Sequence, residues 1–244
     1  MKQKDLLMVL LLVVIFLPFF IFKPLFDAYS ASNALHPYVW SFLKFGILAT
    51  IGECIGLRIR TGMYYTKGFG ILPRAFVWGI LGLMIKAAFV IFAAGAPMML
   101  ATLGVKFPAD LPNPGAILNQ SIFVSHSWLQ VLAAFTFSAT MNVFFAPMFM
   151  TLHKVTDAHI GETGGSIVKF FTHKIRFGYH LKNMNWDVMW GFVFTKTIVF
   201  FWIPAHTINF LLPPEFRVLV AAILGIVLGV ILAVAAVMGR EKQK

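Results

Sequence analysis

Ionisable side chains inside apolar segments are the residues of this chain whose type and position could do chemistry. Four charged and two polar residues share such positions: Lys44, Glu53, Lys86, Lys196, His206 and Asn209. A charge at membrane depth is costly unless it is paired, hydrated or able to reach the surface. Three lysines against one glutamate leave positive charge that water, carbonyl groups or an anion must satisfy. The set predicts a polar pathway that attracts anions.

A purely structural explanation covers most of the same residues. Glu53 and Lys196 fall at similar depth in the inner half of the membrane, so we predict an ion pair between them. Lys44 can extend its ammonium group to the outer surface. Under this alternative only Lys86, which lies nearest the middle of the membrane, still lacks a partner.

The composition identifies the elements that must position these residues as membrane helices. Hydrophobic residues make up 59% of the 244 residues and charged residues only 12%, and the mean hydropathy is +0.84. These values lie outside the range of soluble domains. The net charge of +11 is spread over short loops, where anionic lipid headgroups attract it, so nucleic acid is not a predicted partner.

The basic residues alternate between the two sides of six apolar segments. Only Lys23, Lys106 and Arg217 fall on one side. Fourteen of the twenty Lys and Arg residues fall on the other side: Lys2, Lys4, Arg58, Arg60, Lys67, Arg74, Lys154, Lys169, Lys174, Arg176, Lys182, Arg240, Lys242 and Lys244. By the positive-inside rule, the chain is an all-α bundle of about six transmembrane helices with both termini in the cytoplasm.

We predict one membrane domain over 1–244. Residues 1–37 form a retained signal anchor (6–22) and an external linker, and 38–152 hold spans two to four at 38–57, 76–103 and 122–152. Residues 153–187 form a cytoplasmic interfacial segment, and 188–244 hold spans five and six, at 188–212 and 219–238, with a basic tail. The third span is long enough to require tilt or a break near Pro97.

Glycine and proline predict how the spans pack and where they break. Gly52 with Gly56, and Gly225 with Gly229, have the spacing that lets helix backbones approach closely. Pro147 and Pro204 lie inside the fourth and fifth spans, so both helices are predicted to break and free carbonyl groups towards a cavity.

The cytoplasmic segment combines an amphipathic stretch with several histidines. Residues 167–177 have apolar side chains at helical spacing and basic ones between them, which predicts an interfacial helix or, alternatively, a docking element. Titratable residues of the segment are His153, Asp157, His159, Glu162, His173 and His180. Their spacing matches no compact ligand motif and no cysteine accompanies them, so we predict neither a metal nor another cofactor. No catalytic motif is present, and we predict no enzyme.

Three local strings resemble one family. Trp202, His206, Asn209-Phe210 and Arg217 follow the pattern Trp-Pro-x-x-Gln-x-x-Asn-Phe with a later arginine, although the proline is displaced to Pro204 and histidine replaces glutamine. The string 141–147 has the spacing of Asp-Gln-x-x-x-Ala-Pro, with Met141 and Asn142 in place of the acid and amide. Further matches in the second and third spans are Lys44, Thr50, Gly52, Glu53, Arg74 and Gly82.

These strings are similar to the Mpv-seventeen family, also called the twenty-two-kilodalton peroxisomal membrane protein family, over about 38–237. The resemblance implies a helical membrane protein without known catalysis, whose members are proposed to form small-solute channels or to support membrane and nucleotide-pool homeostasis. The family's core has four spans, two fewer than predicted here.

Two functions follow as hypotheses. The first is a non-enzymatic, weakly selective channel for small anionic solutes in the cytoplasmic membrane of a bacterium, lined by the polar residues named at the outset. The alternative is a structural or accessory subunit of a larger membrane complex, with anionic lipid bound by its basic loops. A homo-oligomer is compatible with either. An intramembrane enzyme would need an acid and a base at one depth, and Glu53 and His206 are predicted to lie in opposite halves.

Overall fold

The structure is a computed structural model that describes residues 3–241, without the side chains of Phe20 and 235–241. Lys2, Lys242, Lys244 and the side chain of Arg240, all predicted to be cytoplasmic, lie outside the described part. No strand occurs between residues 3 and 241. The α-helices are α1 (Gln3–Ile21), α2 (Lys23–Leu35), α3 (Pro37–Thr61), α4 (Ile71–Thr102), α5 (Ile122–Ser125), α6 (Trp128–Phe144), α7 (Ala146–Glu162), α8 (Ile167–Thr172), α9 (Phe177–Lys182), α10 (Trp186–Val188), α11 (Ile203–Leu211) and α12 (Arg217–Glu241).

Other helical geometries complete the chain. A π-helix over Met189–Trp202 joins α10 to α11, and 3₁₀ turns occur at Pro114–Asn119 and Pro214–Phe216. The chain divides into two compact units, Met1–Trp40 and Ser41–Lys244. In the first unit, α1 and α2 meet at 84°, and Tyr29 packs edge-on against Trp40 with ring centroids 4.9 Å apart.

Three stretches in the described residues are long and apolar enough to cross a membrane: Ile71–Thr102, Trp186–Leu211 and Pro214–Val234. The number rises to five if two bent pairs each count as one span, namely α1 with α2 and α6 with α7. The all-helical fold is therefore confirmed, with three to five candidate membrane spans, whereas six spans and the location of the termini are not. The predicted second span forms α3, a continuous helix of 25 residues that is not among these candidates.

The helix break predicted at Pro147 occurs in the structure, whereas a break at Pro97 does not. The fourth span divides at Phe145, two residues before Pro147, where α6 and α7 meet at 46°. Pro204 lies where the π-helix gives way to α11, but the helical stretch Trp186–Leu211 continues through it, so the predicted break is not seen there. Likewise, α4 runs through Pro97 without interruption for 32 residues, so a break near that proline is wrong.

Glycines bring α3 against two neighbours in the second unit. A Cβ atom at Gly52 would lie 2.9 Å from Ile226 Cγ1, so α3 and α12 approach closely there, as predicted. Gly225 and Gly229 of α12 have no non-local atom within 4 Å of such a Cβ position. A second contact, which the glycine spacing did not indicate, joins α3 to α4 at Gly46, Gly79 and Gly82.

The predicted interfacial helix is two short helices, α8 and α9, separated by residues 173–176. Phe170 of α8 is 7% exposed and packs in a core with Val77, Leu81, Phe149 and Ile160. Phe171 beside it is 59% exposed. Part of the apolar face of this segment therefore joins the protein core, and only part is free for a lipid surface.

Candidate functional site

An acid–base cluster joins α3, α4 and α7. Arg74 Nη1 contacts Glu53 Oε2 and donates to Asp157 Oδ1 at 2.8 Å, while Trp78 Nε1 donates to Glu53 Oε1 at 2.6 Å. His153 Nε2 lies 3.4 Å from Glu53 Oε1 and 3.6 Å from Asp157 Oδ1. The four charged or titratable side chains are between 13% and 25% exposed. Arg74 thus holds both carboxylates at once.

This cluster corrects the predicted ion pair. Glu53 pairs with Arg74, whereas Lys196 is exposed on the π-helix. Arg74 and Asp157 had been assigned to cytoplasmic loops by sequence, but the first turn of α4 and the middle of α7 carry them. The sequence did not identify Arg74 as the partner of Glu53, because an arginine next to an apolar segment is interpreted as marking the cytoplasmic side of the membrane.

A cavity of about 360 Å³ extends from this cluster into the protein, and we call it the acid–base cavity. Its lining includes two carboxylates and three permanent cations: Glu53, Asp157, Arg60, Arg74 and Lys154. His206 also lines it. Glu53 and His206, predicted to lie in opposite halves of the membrane, therefore share one cavity.

His206 is fixed by hydrogen bonds that link α6 to α11. It is 7% exposed, and the Asn142 amide nitrogen donates to its Nδ1 at 3.1 Å. Asn142 also donates to the Ser138 carbonyl at 2.8 Å, and the imidazole stacks on Trp202 with ring centroids 5.1 Å apart. Because Asn142 donates to Nδ1, the neutral imidazole carries its proton on Nε2.

A second cavity, of about 320 Å³, lies around Lys86 and Arg217, and we call it the basic cavity. Asn113 and Asn119 also line it, and none of the described residues that line it is acidic. Arg217 is 6% exposed and donates to the carbonyl groups of Leu118 and Leu212. Sequence analysis placed this arginine in an external turn and did not include it in the pathway.

Lys44 lies near the basic cavity but does not line it. It is 8% exposed, and its ammonium group is close enough to Lys86 to interact with it electrostatically. The surface position predicted for Lys44 is therefore wrong.

Aromatic rings lie at the junction of the two cavity linings. Phe89 and Phe210 line the basic cavity and His206 lines the acid–base cavity. The Phe89 ring centroid is 5.9 Å from that of His206 and 4.9 Å from that of Phe210. Phe137 stacks on Phe210 at 3.4 Å. We call these four rings the aromatic layer.

Asn209 does not line either cavity. It is fully buried and donates to the Arg217 backbone carbonyl at 3.0 Å, which ties α11 to the first residue of α12. The Arg217 guanidinium in turn lies over the Phe210 ring, 4.7 Å from its centroid. Asn209 therefore positions Arg217.

No protein family, curated protein or solved structure matches this chain.

Proposed function

We propose that this protein is a non-enzymatic membrane protein with a gated pathway for small anionic solutes. The observation that carries the proposal is that two cavities with ionisable residues in their linings meet at one aromatic layer, where Phe89 of the basic cavity packs against His206 of the acid–base cavity. Ionisable residues that line cavities within a membrane bundle are characteristic of solute pathways. The aromatic layer is the gate, because an apolar constriction excludes water and hydrated ions.

The charges favour anions. Lys86 and Arg217 line the basic cavity, and none of the described lining residues is acidic, although Glu215 lies close enough to Arg217 to interact with it electrostatically. In the acid–base cavity three permanent cations exceed two carboxylates. Clefts lined by one sign of charge raise the local concentration of the opposite ion. Both cavities therefore favour anions, and the basic cavity favours them more strongly.

The alternation of basic residues supports an orientation. The loop after α3 and the segment after α7 carry many Lys and Arg residues, so the acid–base cavity opens to the cytoplasm and the basic cavity to the outside. With α3 counted as a sixth span beside the five candidates, this orientation places both termini in the cytoplasm.

Replacing Lys86 by methionine tests the pathway. We expect chloride efflux from proteoliposomes to fall about tenfold, because the substitution removes one of two cations that concentrate anions in the basic cavity. The matched control is Lys196→Met, which removes an exposed lysine and should leave the efflux unchanged. Thermal unfolding of both variants in detergent checks that the fold is retained.

The accessory-subunit hypothesis makes the opposite prediction. A well-folded wild-type protein that passes no chloride, and that gentle detergent extraction recovers with a different membrane protein, would contradict the pathway and support this alternative. Equal efflux from wild type and Lys86→Met would remove Lys86 from the pathway.

A further inference from the structure

Three side chains converge at the ends of α7 and α9, away from both cavities. His159 and Glu162 lie one turn apart on α7, and His180 lies on α9. One ligand atom from each lies within 4.8 Å of the other two. Both histidines are buried, with 1% and 6% of their surface exposed, whereas the Glu162 side chain is 32% exposed.

Both imidazoles present an unused nitrogen to this cluster. Within the described part of the chain, His159 Nδ1 and His180 Nε2 have no hydrogen-bond partner. His180 Nε2 lies 3.2 Å from Glu162 Oε2, but not in a direction that forms a hydrogen bond. A buried polar atom without a partner costs about 1–3 kcal/mol. A ligand bound to these two atoms and the carboxylate would remove this cost.

Two other polar atoms of the cluster, His159 Nε2 and Glu162 Oε1, are already engaged. His159 Nε2 donates to the Phe170 carbonyl at 3.0 Å, so the lone pair of this imidazole is on Nδ1. A hydrogen bond of this kind fixes the ring and tautomer of a metal-binding histidine. Arg176 donates to Glu162 Oε1, which leaves Oε2 available.

We propose that His159 Nδ1, His180 Nε2 and Glu162 Oε2 bind a divalent transition-metal ion of the zinc class. Two imidazoles and a carboxylate are ligands that Zn²⁺ accepts, with a fourth position left for water. Zn–N distances are about 2.0–2.1 Å, so the three ligands must draw closer together than 4.8 Å. The partly exposed Glu162 side chain can make this adjustment.

The second group of potential ligands in the described residues, Glu53, His153 and Asp157, does not carry the same inference. The Arg74 guanidinium already binds both of its carboxylates. A divalent cation there would meet this positive charge at close range. At the proposed site, Arg176 contacts only the Oε1 atom of Glu162, and Oε2 faces His180.

Metal binding to the purified, full-length protein in detergent tests this site. After removal of metal by a chelator, we expect calorimetric titration with Zn²⁺ to give one saturable site, and Co²⁺ to give the visible absorption of tetrahedral coordination. His180→Ala should weaken Zn²⁺ binding at least about 100-fold, the upper end of what the loss of an outer-shell partner costs. His173→Ala, which removes an exposed histidine of the same segment, should bind as the wild type does.

A second variant distinguishes the loss of a metal ligand from misfolding of the protein. Glu162→Gln keeps the shape of the side chain and should also weaken binding. The inference is overturned if the wild type shows no saturable binding, if both variants bind like wild type, or if His153→Ala abolishes binding instead. The inference is independent of the proposed pathway, because the titration requires no solute flux and chloride efflux requires no metal.

Discussion

Replacing Arg74 by methionine is expected to lower the free energy of unfolding by about 3 kcal/mol, the lower end of the cost of breaking a buried ion pair. Arg74 is the cation that holds both Glu53 and Asp157. Without it, two largely buried carboxylates remain within reach of the same histidine. Equilibrium denaturation in mixed detergent micelles measures the change.

Two companion variants isolate the cause. Lys154→Met removes an exposed cation from the rim of the same cavity and should change stability by less than about 0.5 kcal/mol. Adding Glu53→Gln and Asp157→Asn to Arg74→Met should restore most of the loss, because no uncompensated charge remains. If Arg74→Met is as stable as Lys154→Met, the ion pairs contribute little to the fold.

The acid–base cluster shows the limit of reading a site from sequence. Glu53 was identified because a carboxylate inside an apolar segment requires a partner. Its partner Arg74 was not identified, because the depth of residues in separate helices does not indicate which helices are in contact. Arg74 and Asp157 are far from Glu53 in sequence, and the packing of α3, α4 and α7 brings them together.

The convergence of His159, Glu162 and His180 was not predicted, for a related reason. His159 and Glu162 have the helical spacing of neighbours on one face. The third group, His180, belongs to α9, which follows α7 only after the short helix α8. No local motif contains such a set. The spacing of His159 and Glu162 was the one available signal.

Replacing Gly82 by alanine is expected to destabilise the protein by about 2 kcal/mol, within the usual cost of overpacking. A Cβ atom at this position would lie 2.7 Å from the Ser41 carbonyl oxygen and 2.7 Å from Phe45 Cβ. Neither atom belongs to the free end of a flexible side chain, so α3 and α4 must move apart. Thermal and chemical unfolding in detergent measure the effect.

The control lies on the same helix. Gly95→Ala introduces a Cβ atom with nothing within 4 Å and removes a glycine from the interior of α4, so it should be neutral or stabilise the protein by up to about 1 kcal/mol. If both alanine variants behave alike, α3 and α4 do not depend on the close contact at Gly82.

Composition and the positions of basic residues predicted the helical membrane class, and apolar length predicted α4 and the last two spans. They also predicted the helix α3 as the second span, but α3 is not a candidate span, because its mixture of glycine, charge and apolar residues encodes packing within the protein as well as contact with lipid. Pro147 marked the bend between α6 and α7 correctly. The π-helix over Met189–Trp202 has no clear sequence signal, since it depends on i→i+5 bonding that neighbouring elements must stabilise.

The uninterrupted α4 forms a wall of both cavities and so couples them mechanically. At about 1.5 Å per residue its 32 residues extend about 48 Å. Arg74 and Trp78 line one cavity, Lys86 and Val90 line the other, and Phe89 belongs to the aromatic layer. One helix thus carries residues of both cavities and of the aromatic layer. A displacement of α4 would therefore act on every part of the proposed pathway at once.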